Sequence, residues 1–135
     1  MKQVVVALSA ALALGACGDA AAPADTAEAA EASAVKTIDV AALAAMQAAG
    51  TVQLIDVRTP EEFAEGHIEG AVNMPVETFD AAAIEHIAGK QTILYCRSGR
   101  RSEHAAEMLA AKDGSATHLD GGILAWEEAG QPTAE

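Results

Sequence analysis

The stretch Cys96-Arg97-Ser98-Gly99-Arg100-Arg101 carries the residue types of this chain best suited to chemistry. A thiol is followed there by three arginines within five residues, although the chain as a whole has a net charge of −12. The preceding Thr92-Ile93-Leu94-Tyr95 is β-branched and aromatic and predicts a buried strand. The run from Ser102 to Ala111 predicts a helix. A thiol between a strand end and a helix start meets unpaired backbone N–H groups and the positive end of the helix dipole. Such surroundings lower a cysteine pKa and produce the thiolate, which is the nucleophile. A cysteine at a strand end can also be a small buried hydrophobe, but that role gives no reason for the arginines beside it. The chemistry implied is nucleophilic sulfur chemistry on an anionic substrate.

The elements that must position this loop follow from hydrophobic pattern and cap residues. Val35–Ile38 predicts a weak first strand, and Asp39 caps a helix that turns Leu43 and Met46 inward and stops at Gly50. Val52–Val57 predicts a second strand, with Asp56 and Arg58 at its C-terminal edge. Thr59-Pro60-Glu61-Glu62 is a capping box with proline at the first helical position, opening a short helix that ends at Gly66. Ala71–Met74 predicts a third strand closed by Pro75, and Phe79–Ala88 a helix ending at Gly89. After the Cys96 loop and its helix come a strand at Ala116–Leu119, a turn at Asp120-Gly121-Gly122, and a helix at Ile123–Ala129. This alternation predicts an α/β domain, doubly wound, with a mostly parallel sheet flanked by helices. Ligands of such sheets bind beyond the carboxyl ends of the strands, where Asp56–Arg58 and Cys96 both fall. Trp126 and Phe63 read as core.

Outside this domain, residues 35–135, the chain reads differently. Met1-Lys2-Gln3 and the apolar Val4–Leu14 make a short secretory leader rather than a spanning helix. It ends in Leu14-Gly15-Ala16-Cys17, which resembles the bacterial lipobox, so residues 1–16 are expected to be removed and Cys17 lipidated. Gly18 follows Cys17 where the simplest inner-membrane retention signal has Asp, and the choice of membrane stays open. Residues 17–34 are mostly Ala, Asp, Glu, Pro, Ser and Thr, too poor in apolar bulk to offset their ordering entropy, and are expected to form a disordered acidic tether. The expected place is the cell envelope, lipid-anchored and facing the periplasm. The acidic balance argues against nucleic acid as a partner. With Cys17 acylated, Cys96 has no partner for a disulfide and no resolving thiol. His67, His86, His104 and His118 are scattered, without acidic or cysteine companions at ligand spacing, so no metal and no cofactor are expected.

The domain resembles the rhodanese family in three stretches. They are Leu54–Phe63 with Gly66–Pro75, Cys96–Ser102, and Leu119-Asp120-Gly121-Gly122 with Ala125-Trp126 and Gly130-Gln131-Pro132. The resemblance implies a doubly wound α/β fold and sulfurtransferase activity. Cys96 would take the outer sulfur of a donor such as thiosulfate as a persulfide and pass it to a thiol or cyanide acceptor. Backbone N–H groups from Arg97 through Ser98, Gly99 and Arg100 to Arg101 would cradle the persulfide. Arg97, Arg100 and Arg101 would bind the donor's sulfonate. Asp56 and Arg58 would support the loop, with a buried structural ion pair as the alternative. The protein would act as a monomer.

Two rival functions remain in view. A phosphatase or arsenate reductase cradles its oxyanion in a Cys-x5-Arg loop, whereas here Arg101 follows four intervening residues and Ser102 takes the next place. A non-catalytic rhodanese-like sulfur carrier or partner-binding module would need the same loop, and only turnover separates it from an enzyme.

Overall fold

The computed structural model describes residues 34–135. The leader, Cys17 and nearly all of the tether lie outside the described residues. Five strands, β1 (Ala34–Ile38), β2 (Val52–Asp56), β3 (Val72–Asn73), β4 (Gln91–Tyr95) and β5 (Ser115–Leu119), form one sheet in the order β1-β5-β4-β2-β3. Every pairing between them is parallel. The helices are α1 (Val40–Ala49), α2 (Pro60–Glu65), α3 (Arg100–Asp113) and α4 (Gly122–Glu128). They cover both faces, so the doubly wound architecture expected from the alternating pattern is the one observed.

Strand periodicity sorts the core into two layers. Ile55, Val57, Leu94, Cys96 and Ala116 face Ala105, Ala106 and Leu109 of α3. Leu54, Ile93, Tyr95 and Leu119 face Leu43 of α1 and Ile123 and Trp126 of α4. Tyr95 and Cys96 are neighbours in sequence but belong to opposite layers, and this alternation decides what surrounds the thiol.

Local signals act as expected at several termini. Asp39 accepts a hydrogen bond from the Ala42 amide at 2.8 Å, and Gly50 closes α1. Leu43 is fully buried, whereas Met46 is only partly covered. The Thr59–Glu62 capping box is complete. Phe63 departs from its expected place in the core: it is half-buried and stacks on His67 with ring centroids 3.8 Å apart.

The helix expected over Phe79–Ala88 does not form. A 3₁₀ turn at Val76–Thr78 precedes the segment, which makes one 3₁₀ turn of its own, Ala81–Ala83, and then runs irregularly to β4. The Asp80 carboxylate accepts from the Ala82 amide at 2.9 Å, a bond that caps a single turn. Ile84 is the only residue of 79–88 that is fully buried, and Ile87 is 46% exposed. Phe79 and Ala81 pack against the core beside Ile84, but the rest of the segment is exposed, and so short a helix with a sparse apolar face is marginal. The third strand is also shorter than expected, two residues rather than four.

Candidate active site

Cys96 sits one residue beyond the end of β4 and is 1% exposed. The chain then turns through Ser98 and Gly99, and α3 begins at Arg100. Gly99 has φ +111°, a conformation that L side chains rarely adopt. It swings its own amide back to donate to the Cys96 Sγ at 3.0 Å. Burial on its own would raise the thiol pKa, but the Ser102 amide and hydroxyl and the amides of Gly99 and Ser98 outweigh it and hold the pKa below the usual 9.0. Oriented dipoles at a helix start thus favour the anionic form of the thiol.

The loop is anchored from below by α4. Ile123 N–H donates to the Cys96 carbonyl at 2.8 Å, and Leu124 N–H donates to the Arg97 carbonyl at 3.2 Å. These are free amides of the first turn of α4, which therefore bind the loop's carbonyls instead of an external anion. The approach requires Gly122, whose φ is +60° and where a Cβ would lie 2.5 Å from the Arg97 carbonyl oxygen. The Gly121-Gly122 pair is legible in the sequence only as a turn. Its fit against the Cys96 loop becomes visible once β4 and β5 are neighbours.

The three loop arginines do not all converge: Arg100 and Arg101 border one depression and Arg97 another. Arg101 grips Glu62 of α2 with both guanidinium ends, at 2.7 and 2.9 Å. This grip, with the Thr59 amide, pulls the Glu62 carboxyl down to a pKa of about 2 and raises that of Arg101. Arg101 therefore does not present a free fork of the kind a Cys-x5-Arg oxyanion cradle needs. Arg100 is exposed and, with Val76, Ser98, Arg101 and His104, lines an open depression of about 410 Å³. Arg97 lies on the other flank, in a depression of about 320 Å³ shared with Arg58, Glu62, Glu65 and Glu127.

Asp56 and Arg58 occupy a separate layer. Asp56 is 0% exposed and Arg58 6%. Arg58 Nε donates to both carboxylate oxygens at 3.0 and 2.9 Å, and Nη2 donates to Oδ2 at 2.7 Å. Nη2 also donates to the Gly66 carbonyl at 2.6 Å. Burial opposes the Arg58 charge, but the bonds and charge of Asp56 outweigh it and raise the pKa. The guanidinium carbon lies 5.8 Å from the centre of the Tyr95 ring, and burial pushes the Tyr95 hydroxyl pKa upward. This pair fixes the corner after β2 and makes no hydrogen bond to the Cys96 loop.

Two residues near the thiol were not singled out as functional by their sequence. Ser102 is fully buried on α3, and His118 is buried on β5 with its Nδ1 3.2 Å from the Ser102 Oγ. Glu62 also gains a second role, since the carboxylate that completes the capping box is the one that holds Arg101. The distance along the chain hides both relationships.

Comparison with known proteins bears on the whole domain. Residues 39–129 match the rhodanese-like domain family. The chain is 38% identical over 82 residues to a sulfurtransferase of Allochromatium vinosum, covering 60% of this chain and 77% of that one. An uncharacterized protein of Synechocystis is 38% identical over 94 residues, covering 69% of this chain, and the chain spans 52% of that relative's length. The crystal structure of a rhodanese-related protein from Thermoplasma volcanium superimposes with a TM-score of 0.64 at 28% identity, covering 73% of this chain and 97% of that one.

Proposed function

The chain belongs to the rhodanese family, and from that membership we propose that it is a sulfurtransferase in which Cys96 carries the sulfur. The observation that carries this reading is the buried Cys96 sulfur, bonded by the Gly99 amide and with its pKa drawn down by the amides and hydroxyl around it, in the loop whose Ser98, Arg100 and Arg101 line an open basic depression. The relative named a sulfurtransferase supports the reaction class.

The first half-reaction forms a bond between the Cys96 Sγ and the outer sulfur of the donor and breaks the donor's S–S bond. With thiosulfate, the bonding pair leaves on sulfite and the negative charge of the thiolate passes to the terminal sulfur of the persulfide. An acceptor thiolate or cyanide then attacks that terminal sulfur and returns Cys96 as thiolate. These are two half-reactions of a covalent mechanism. Arg100 is the exposed cation on the depression beside Ser98 and docks the donor's anionic end. Arg101 borders the same depression while held by Glu62, so it contributes field rather than a free fork. The acids around Arg97 make the opposite flank poorly suited to an anion. The Leu14-Gly15-Ala16-Cys17 motif supports lipidation at Cys17 and a position in the bacterial cell envelope, facing the periplasm.

Incubating protein from the envelope fraction with thiosulfate should add one sulfur, about 32 Da, to the wild type and none to Cys96→Ser. The same intact-mass spectrum should show Cys17 as an acylated first residue. Thiosulfate turnover that survives Cys96→Ser overturns the mechanism, and a mature terminus elsewhere without lipid overturns the anchor. Steady-state turnover with excess acceptor separates an enzyme from a stoichiometric carrier.

A further inference from the structure

The Ser102 hydroxyl has one proton and three neighbours that bear on it. In the structure it donates to the Gly99 carbonyl at 2.9 Å. Its oxygen lies 3.2 Å from the His118 Nδ1, and the Ser102 amide and hydroxyl are among the groups that draw the Cys96 pKa down against its burial. The Gly99 carbonyl already receives the Glu103 amide at 2.9 Å, as an ordinary bond of the first turn of α3. It therefore loses no obligatory partner when the Ser102 hydroxyl turns away. The outcome depends on His118. If Nδ1 is bare, it competes with the sulfur for the Ser102 proton. If Nδ1 carries hydrogen, it donates to the Ser102 oxygen and leaves that proton for the Gly99 carbonyl, as in this structure, or for the sulfur once the hydroxyl turns.

We propose, on the reading of Cys96 as the nucleophile, that His118 is a positioning residue for sulfur transfer: its Nδ1–H holds the Ser102 hydroxyl so that it donates to the Cys96 thiolate and to the persulfide formed from it. Ser102 is 0% exposed and His118 5%, so the chain from ring to hydroxyl is shielded from competing water, where a hydrogen bond to an anion is strong. No buried side-chain polar atom among the described residues lacks a partner. Among the described residues His118 Nε2 has no hydrogen-bond partner, and it is therefore the ring's water-facing nitrogen.

The charged groups acting on the ring are Glu103 of α3 and Asp120 just after β5. On the neighbouring strand β1, Lys36 is in register with Thr117 and projects to the other layer, while Thr37 is level with His118. Burial outweighs the two carboxylates and holds the His118 pKa below its usual 6.5. The ring is therefore neutral at pH 7, where a single ring proton must choose between the two nitrogens. A thiolate beyond Ser102 favours Nδ1.

The test reads the tautomer and the thiol separately, in the full chain. Ring nitrogen NMR shifts of wild-type His118 should report Nδ1–H while Cys96 is a thiolate, and a shift toward Nε2–H after Cys96 is capped with iodoacetamide. An Nε2–H tautomer in both forms overturns the proposal without any substitution. Peptide-resolved alkylation of Cys96 against pH should show the reactivity midpoint raised by about one unit in His118→Phe, a tenfold loss of thiolate below it. His118→Asn places an amide N–H near the same position and should restore the midpoint. Ser102→Ala should shift it as much as His118→Phe, with no further shift in the double variant. A native-melting His118→Phe with the wild-type midpoint also overturns the proposal. Alkylation needs no sulfur donor, so a failed thiosulfate reaction with these shifts intact would refute thiosulfate as the donor and leave the action of His118 on the Cys96 thiolate standing.

Discussion

The Cys96 loop and the Asp56–Arg58 corner each enclose an acidic group at the carboxyl end of a central strand, and they surround it by different means. Asp56 is fully enclosed and meets a guanidinium that donates three hydrogen bonds to its carboxylate. The Cys96 sulfur is as deeply set, but it is stabilised by amides and a hydroxyl without a paired cation. A full ion pair consumes the lone pairs of its anion and ties it to one geometry, which suits a corner. Dipoles lower the energy of a thiolate while leaving a sulfur lone pair for attack, which suits a nucleophile. Strand alternation keeps the two apart, since Tyr95, beside Arg58, points to one layer and Cys96 to the other.

The sharpest way to break this comparison is to remove the buried carboxylate. Asp56→Ala leaves the Arg58 charge without its partner and should cost about 3–5 kcal/mol of stability, read from the urea midpoint. The folded fraction should keep the wild-type pH midpoint for Cys96 alkylation. A large shift of that midpoint would mean that the two regions act as one electrostatic unit.

A smaller effect is expected beneath the loop. Gly122→Ala imposes a side chain at φ +60° and against the Arg97 carbonyl, costing roughly 1–3 kcal/mol. It should also disturb the Ile123 and Leu124 amides that hold the loop, so alkylation of Cys96 should change together with stability. Lost stability with unchanged alkylation would show that α4 supports the core and not the thiol.

The smallest effect belongs to the one ion pair that links the two regions, Glu62–Arg101. The pair is partly exposed, so Glu62→Gln should cost at most about 1 kcal/mol at neutral pH. Its pH dependence is the more decisive readout. The Glu62 pKa falls from the ordinary 4.5 to about 2 on folding, so the pair contributes fully above 4.5 and is lost as pH falls toward 2. The stability gap between wild type and Glu62→Gln should close across that interval. A gap that persists at the acid end would mean that Glu62 acts through packing.

Several features of this protein are determined by sequence over a few residues. The parallel α/β order, the capping box at Thr59–Glu62, and the thiol between strand and helix all follow from local pattern, because caps and strand periodicity are decided by residues close in the chain. The 79–88 segment marks where local pattern stops being sufficient. Its alanines and isoleucines permit a helix, but Phe79, Ala81 and Ile84 reach the core from two 3₁₀ turns and an extended run while Ile87 stays exposed, so packing is met without a helix. Partner choice also belongs to tertiary structure. Whether Arg101 faces an anion or Glu62, whether Asp56 joins the site or Arg58 alone, and whether His118 meets Ser102 depend on β5, β4 and β2 lying side by side. Charge and hydrogen-bond energies act over a few ångströms of space, and chain separation says little about which groups reach that distance.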